Sequence, residues 1–331
     1  MTRTLMAVLA LSLLVAAPAE AGKKKKKKDQ ETSAPPTSSL PAEAEEAPAD
    51  DGEMSIGRPA GMDFLELPCP YTAGTEHTWT FVNEQDNGKA TGTQILRIVE
   101  VTPGSFTFDV GGEAHIETDD PVLQRITEAA NGFDVEPRVQ FFTEAMAMNV
   151  ANLEALKPLY SALVDELEPT MKEADLPPAA IANIRRMMTD PGMIENSLTR
   201  NLYPLFNFTC GSFPTTPIDY ETQMPSPMGP PLPAKGRITP ERPGPDRVTF
   251  VNTEAVPVDA LIPAIVAMSK GAMPEEEVRK AMEEIDGEVT TTLTVEVDVP
   301  TGAITSMVSE QVVKIPGAEK RSRRELTAVA E

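Results

Sequence analysis

From His77 onward the chain alternates. His77, Trp79 and Phe81 fall on one side of an extended segment, and Thr78, Thr80 and Val82 on the other. That two-residue period is the mark of a half-buried strand. Asp86-Asn87-Gly88 predicts a turn, and Thr93 to Val101 the next strand. After the Pro103-Gly104 turn, Phe106, Phe108 and Val110 line one face of a third strand, which Gly111-Gly112 bends towards Ala114 to Thr118. Sequential strands joined by tight turns predict an antiparallel meander.

Between about 121 and 205 the apolar spacing changes to three and four residues, the helical period. Helices are predicted over 138–150 and 153–167, with Pro158 kinking or splitting the second. A shorter helix follows Pro177-Pro178 and reaches Met188, and Ile194, Leu198 and Leu202 form the next stripe. The block closes on Tyr203, Phe206, Phe208 and Phe213 around Cys210. Residues 214–245 are rich in proline, which removes ladder donors, so an extended loop or edge wrap is expected there.

Strand signals resume at Arg247 to Val251. Val258, Leu261, Ile262, Ile265 and Val266 mark an apolar helix, and Pro274 opens another with Glu275, Glu276 and Glu277 against its N-terminal dipole. Val289, Thr291, Leu293, Val295, Val297 and Val299 then share one face of a strand. Pro300-Thr301-Gly302 turns it into Ile304 to Val313, and 319–330 adds a last strand. The order is strands, helices, strands, helices, strands. It predicts an α+β fold: a curved antiparallel β-sheet meander with two helical insertions packed on one face.

The first 57 residues read differently. Arg3, an apolar run from Leu5 to Ala17, and Ala19-Glu20-Ala21 form a signal peptide over 1–21, with Gly22 as the first mature residue. Residues 22–57 hold the six lysines Lys23 to Lys28 and an Ala/Pro/Ser/Glu stretch with almost no large apolar side chain. Such a segment buries too little surface to offset its ordering entropy, so a disordered tether is expected. The lysine run reads as solvated low-complexity sequence; contact with anionic head groups or acidic envelope polymers is the functional alternative. Residues 58–331 are expected to form a single α+β domain.

Export changes how the two cysteines read. In an oxidising compartment Cys69 and Cys210 are expected to pair, closing a loop worth about 4–5 kcal/mol by chain entropy; free buried thiols are the alternative. A short signal and sparse cysteine point to a bacterial envelope protein, periplasmic or extracellular. In a eukaryotic secretory setting Asn207-Phe208-Thr209 would be a glycosylation acceptor.

Acidic residues number 51 against 29 basic ones, a formal net charge of −22. This excess disfavours nucleic acid and anionic membranes and favours cationic partners. The apolar run of the signal is too short to span a bilayer, and no other stretch is expected to cross one. Lys320, Arg321, Arg323 and Arg324 form a basic cluster that reads first as a guard on an exposed edge strand, second as a dock for an anionic partner.

Catalytic signatures are missing: there is no GxSxG, HExxH, SxxK, P-loop or GxGxxG pattern. His77 and His115 are the only histidines, and both read as structural. No catalytic residue, metal or cofactor is assigned. Asp119-Asp120 and Glu275 to Glu277 lack calcium-loop spacing and read as helix caps. Methionines concentrate in the helical blocks, and flexible thioethers suit both core filling and varied apolar ligands. Trp79, Phe81, Met146, Met187, Met188 and Met268 are the candidate apolar-ligand lining. In outline, a sheet under methionine-rich helices resembles the half-barrel carriers of lipids and lipoproteins in bacterial envelopes, a resemblance of architecture without a shared motif. The function expected first is a non-enzymatic, lipid-type ligand-binding or envelope accessory protein. A structural or protein-interaction module of the envelope is the alternative, and a carboxylate-dependent hydrolase the third.

Overall fold

In the computed structural model, residues 63–329 are described, apart from 86–87, 119–123, 126–127, 129–133, 144, 146, 174–177, 201, 225–231, 269–274, 285–287 and 316–317. The expected signal peptide and tether lie outside the described residues. What is described is an α+β fold dominated by antiparallel sheet. Eleven strands hydrogen-bond in one sheet in the order β6-β5-β4-β3-β2-β13-β12-β11-β10-β9-β8. The sheet does not close, so β6 and β8 are its two edges. A separate ribbon pairs β1 (Phe64–Leu67) with β7 (Gly211–Pro214).

The meander forms as its alternation predicts. β2 (Glu76–Gln85), β3 (Gly88–Thr102) and β4 (Ser105–Glu117) are successive hairpins. Trp79, Phe81, Leu96, Ile98, Phe106 and Phe108 are all buried. Register places them on one face of the sheet, called the inner face below. The second meander runs through β10 (Arg247–Val256), β11 (Glu288–Asp298), β12 (Ile304–Ile315) and β13 (Ala318–Ala328). β13 pairs with β2 and joins the two meanders.

Two predicted elements differ. Residues 138–150 are not a helix but two short strands, β5 (Arg138–Phe142) and β6 (Ala147–Val150). Their buried residues, Val139, Phe141, Met148 and Val150, keep the two-residue period of the neighbouring β4. Pairing beside an apolar strand outweighed an ambiguous short-range spacing. The proline-rich stretch is not a loop: it holds β8 (Ile218–Met224) and β9 (Leu232–Gly244), and its middle, 225–231, lies outside the described residues. β9 pairs on both sides despite Pro233, Pro240 and Pro243. A register shift opposite its proline-rich end, between Arg247 and Thr249, accommodates the lost donors.

Helices occupy two places in the chain order. Between β6 and β7 come α1 (Leu153–Glu173), α2 (Pro178–Thr189), α3 (Pro191–Arg200) and α4 (Tyr203–Phe206). Between β10 and β11 come α5 (Val258–Met268) and α6 (Glu275–Glu284). Pro158 does not split α1, which runs through both Pro158 and Pro169. Its buried stripe of Leu156, Tyr160, Leu163, Val164, Leu167 and Met171 offsets the lost backbone bonds. The expected stripe of Ile194, Leu198 and Leu202 is fully buried. Phe206 of α4 is the aromatic hub: its ring centroid lies 5.1 Å from those of Phe108 and Phe141 and 5.2 Å from those of Phe106 and Tyr71.

Candidate functional site

Cys69 and Cys210 are disulfide-bonded across a sequence separation of 141 residues. The bond sits at the end of the β1–β7 ribbon, where Leu67 pairs with Gly211. Cys210 has φ of 57°, a left-handed conformation that no other non-glycine residue adopts among the described residues. Tyr71, two residues after Cys69, donates its hydroxyl to the Leu205 carbonyl at 3.4 Å. Bond, ribbon and hydrogen bond together tie the start of the sheet to the end of the first helical block.

The six candidate lining residues divide. Trp79 and Phe81 are 3% and 2% exposed, in the main hydrophobic cluster of the inner face, and Met188 is 2% exposed in the same cluster. Met146 lies outside the described residues, and Met187 and Met268 are placed only as backbone positions in α2 and α5. His77 stacks near Trp79 with 6.0 Å between ring centroids, and its Nε2 lies 3.3 Å from Thr75 Oγ1. His115 projects to the opposite face, since its neighbours Ala114 and Ile116 pack on the core.

The inner face is not apolar throughout. A second, smaller cluster joins Ala234, Val256, Leu261, Ile262, Val278 and Met282, which bring α5 and α6 against β9 and β10. Between the clusters, on the same face, run two adjacent register rows of largely polar residues. One row is Tyr220, Gly236, Glu254, Thr291, Gln311, Ser322 and Gln85, passing from β8 to β2. The other is Asn252, Leu293, Ser309, Arg324 and Asn83. Sequence reasoning missed this band because strand alternation assigns a face, while only register aligns the polar exceptions of different strands.

The band is internally bonded. The Tyr220 ring lies across Gly236, where a Cβ would fall 2.2 Å from the ring. Its hydroxyl thereby reaches Asn252 Oδ1 and Glu254 Oε1, each at 2.7 Å. Burial, and then the Glu254 carboxylate, push the Tyr220 phenol well above its ordinary range. Gln311 Nε2 donates to Thr291 Oγ1 at 3.4 Å. At the other end Arg324 is 8% exposed, and its Nη2 donates to Gln94 Oε1 at 2.7 Å. Burial lowers the Arg324 guanidinium to about 10, so it stays cationic at neutral pH. The Gln94 amide nitrogen has no hydrogen-bond partner among the described residues.

The basic cluster is therefore split by strand alternation. Arg324 enters the inner face, while Arg323 projects outward to Glu310 at 3.6 Å and Glu325 at 3.3 Å. Arg321 pairs with Glu319 at 3.2 Å. β13 is an interior strand between β12 and β2, so the reading of this cluster as an edge guard is corrected.

Two open clefts mark the surface. One of about 370 Å³ is lined by Gln85, Gln311 and Ser322 of the polar band, with Glu84, Glu310, Val312, Arg321 and Arg323 beside them. The other, about 470 Å³, is lined by Asp109, Asp134, Val135, Glu136, Arg138 and Asn152. Two of its three carboxylates are committed to cations: Arg138 is bidentate to Asp109 at 2.7 and 2.9 Å, and Arg97 Nη1 binds both oxygens of Glu136 at 2.8 and 2.9 Å. Among the described residues no group of three His, Cys, Asp or Glu could hold a metal ion, and no helix is long and apolar enough to cross a membrane. No protein-family model and no curated protein matches the chain.

Proposed function

We propose that this chain is an exported, non-enzymatic binding protein that holds an apolar or amphipathic small molecule against the inner face of a curved sheet, with its two helical groups as the cover. The observation that carries the reading is the polar band between two separate hydrophobic clusters on one sheet face. A sheet face covered for stability alone is best served by continuous apolar surface, because a polar group buried without a hydrogen-bond partner, as the Gln94 amide nitrogen is among the described residues, costs free energy. A band of hydroxyls, amides and one buried guanidinium beside apolar surface suits a ligand with a polar head and an apolar body. The α5–α6 pair is held by the smaller cluster and is the cover most easily lifted. The apolar sequence of α5, with Asp259 its only charged residue, supports the same reading. Since Trp79 and Phe81 are buried in the main cluster, the proposed ligand place is the band and the α5–α6 side, and the disulfide and the expected export signal fit a periplasmic or extracellular setting.

The test is mass spectrometry of the exported protein, purified without detergent, native and then denatured, with saturation binding of a fluorescent acyl probe. A mass lost on denaturation and recovered in organic extract, or saturable probe binding weakened by Met282→Glu, is the expected result. A bare polypeptide mass together with no saturable probe binding overturns the proposal. The alternative of an envelope interaction module is supported by a different feature, the unequal edges of the sheet.

A further inference from the structure

The two edges of the eleven-stranded sheet are finished differently. At β6 the outward backbone donors are closed by side chains from the first helical block. Met148 N donates to Tyr203 Oη at 3.2 Å, and Val150 N donates to Glu195 Oε1 at 2.8 Å. The two donors are two residues apart, as the outward set of an antiparallel edge must be. Both outward donors of this four-residue edge are thus taken. β8 is longer, seven residues from Ile218 to Met224, and among the described residues pairs only with β9. Among the described residues no side chain or backbone group bonds to its outer edge.

The side chains along β8 say what could pair there. Ile218, Tyr220 and Thr222 lie on the inner face, half-buried. Asp219 and Glu221 alternate with them on the outer face, both exposed. Asp219 is bonded to Arg237 at 3.2 Å, and Glu221 has no ion pair among the described residues. A second copy of this chain is the wrong partner. The antiparallel β8–β8 register that pairs all seven residues sets Glu221 across from Glu221, and the one centred on Tyr220 sets Asp219 across from Glu221; like charges directly opposite are destabilising. Two chains of net charge −22 also repel as wholes. Charge on an edge strand is a selective guard: it rejects acidic and self partners and admits a cationic one.

We propose that β8 is a strand-addition site for an extended segment of a partner protein, with Lys or Arg at alternate positions against Asp219 and Glu221. The intervening residues of that segment are apolar and continue the inner face beside Ile218 and Tyr220. Main-chain bonding supplies affinity, and the alternating charge supplies orientation and selection. The proposal does not rest on the small-molecule reading, although Tyr220 borders both places.

The experiment uses the full mature chain and a synthetic peptide alternating Lys and Val, with a Glu/Val peptide of the same length as comparison. Fluorescence anisotropy reads binding, and hydrogen exchange reads protection strand by strand. The expected result is saturable binding of the Lys/Val peptide at least tenfold tighter than the Glu/Val peptide, with added protection at 218–224. The double variant Asp219→Lys/Glu221→Lys reverses the preference, while Glu113→Lys/Glu117→Lys on the outer face of β4 leaves it in place. Equal loss in both variants, or Lys/Val binding without new protection at β8 in the unaltered chain, overturns the proposal and reduces the binding to general attraction.

Discussion

Gly302 lies so close to Pro68 that a methyl group on its Cα would stand 1.8 Å from the Pro68 carbonyl oxygen. The two residues are far apart in sequence, yet this approach locks the β11–β12 hairpin onto the segment that carries Cys69. Gly302 is also left-handed, with φ of 70°, and its N–H closes the turn on the Asp298 carbonyl at 2.8 Å. Glycine is required here twice, for conformation and for room.

Gly302→Ala is accordingly expected to cost about 2–4 kcal/mol, the sum of left-handed strain and overpacking against backbone. Gly74 is the internal control: its φ is 84° and a Cβ there meets nothing within 4 Å. Gly74→Ala is expected to cost only about 1 kcal/mol. Thermal melts of both variants check this, and equal losses would show that the contact with Pro68 is relieved by a small shift.

Reduction of the Cys69–Cys210 bond frees a loop of 141 residues in the unfolded chain. Loss of about 2–5 kcal/mol is expected on reduction or in Cys69→Ser/Cys210→Ser. Denaturant titration with and without reductant measures it, and an unchanged midpoint would mean that the ribbon and the Tyr71–Leu205 bond suffice.

Alkaline stability is set by buried phenols. Burial holds Tyr71, Tyr160 and Tyr220 protonated well past the ordinary tyrosine range, with the Thr209 hydrogen bond opposing at Tyr71 and the Glu254 carboxylate adding at Tyr220. Unfolded, they ionise near pH 10. Stability from these groups is therefore complete below about pH 10 and is lost as pH rises beyond it. Arg324, lowered by burial to about 10, acts oppositely, since the folded state releases its proton first. Three groups against one predict net alkaline destabilisation. Tyrosinate absorbance should rise together with loss of near-ultraviolet circular dichroism; ionisation of all the tyrosines with the fold intact would refute the assignment.

Arg324 and Gln94 form a coupled pair inside the sheet. Arg324→Met leaves the Gln94 carbonyl without this donor, and Gln94→Met removes the acceptor of the 2.7 Å bond from Arg324 Nη2. Each single change is expected to cost about 1–3 kcal/mol, and the double change less than their sum by about 1 kcal/mol or more. Strict additivity in chemical denaturation would show that the two side chains are held independently.

Much of the fold is legible in local pattern. The alternation of Trp79 and Phe81 with threonines, the Val289 to Val297 face, the Ile194-Leu198-Leu202 stripe and the aromatic group around Cys210 all follow from periods of two and 3.6 residues. Periodicity reports which face of an element is buried, and burial of apolar surface dominates folding. What it cannot report is which strands become neighbours. The placing of β13 between β12 and β2, the interior position of a proline-bearing β9 and the conversion of 138–150 into strands were decided by long-range pairing. The same holds for the candidate sites. Tyr220, Glu254, Gln311 and Arg324 are unremarkable one at a time, and only tertiary register sets them in a band between two hydrophobic clusters. The contrast between the two edges is likewise tertiary: Tyr203 and Glu195 accept from the outward donors of β6, and among the described residues no group bonds the outer backbone edge of β8.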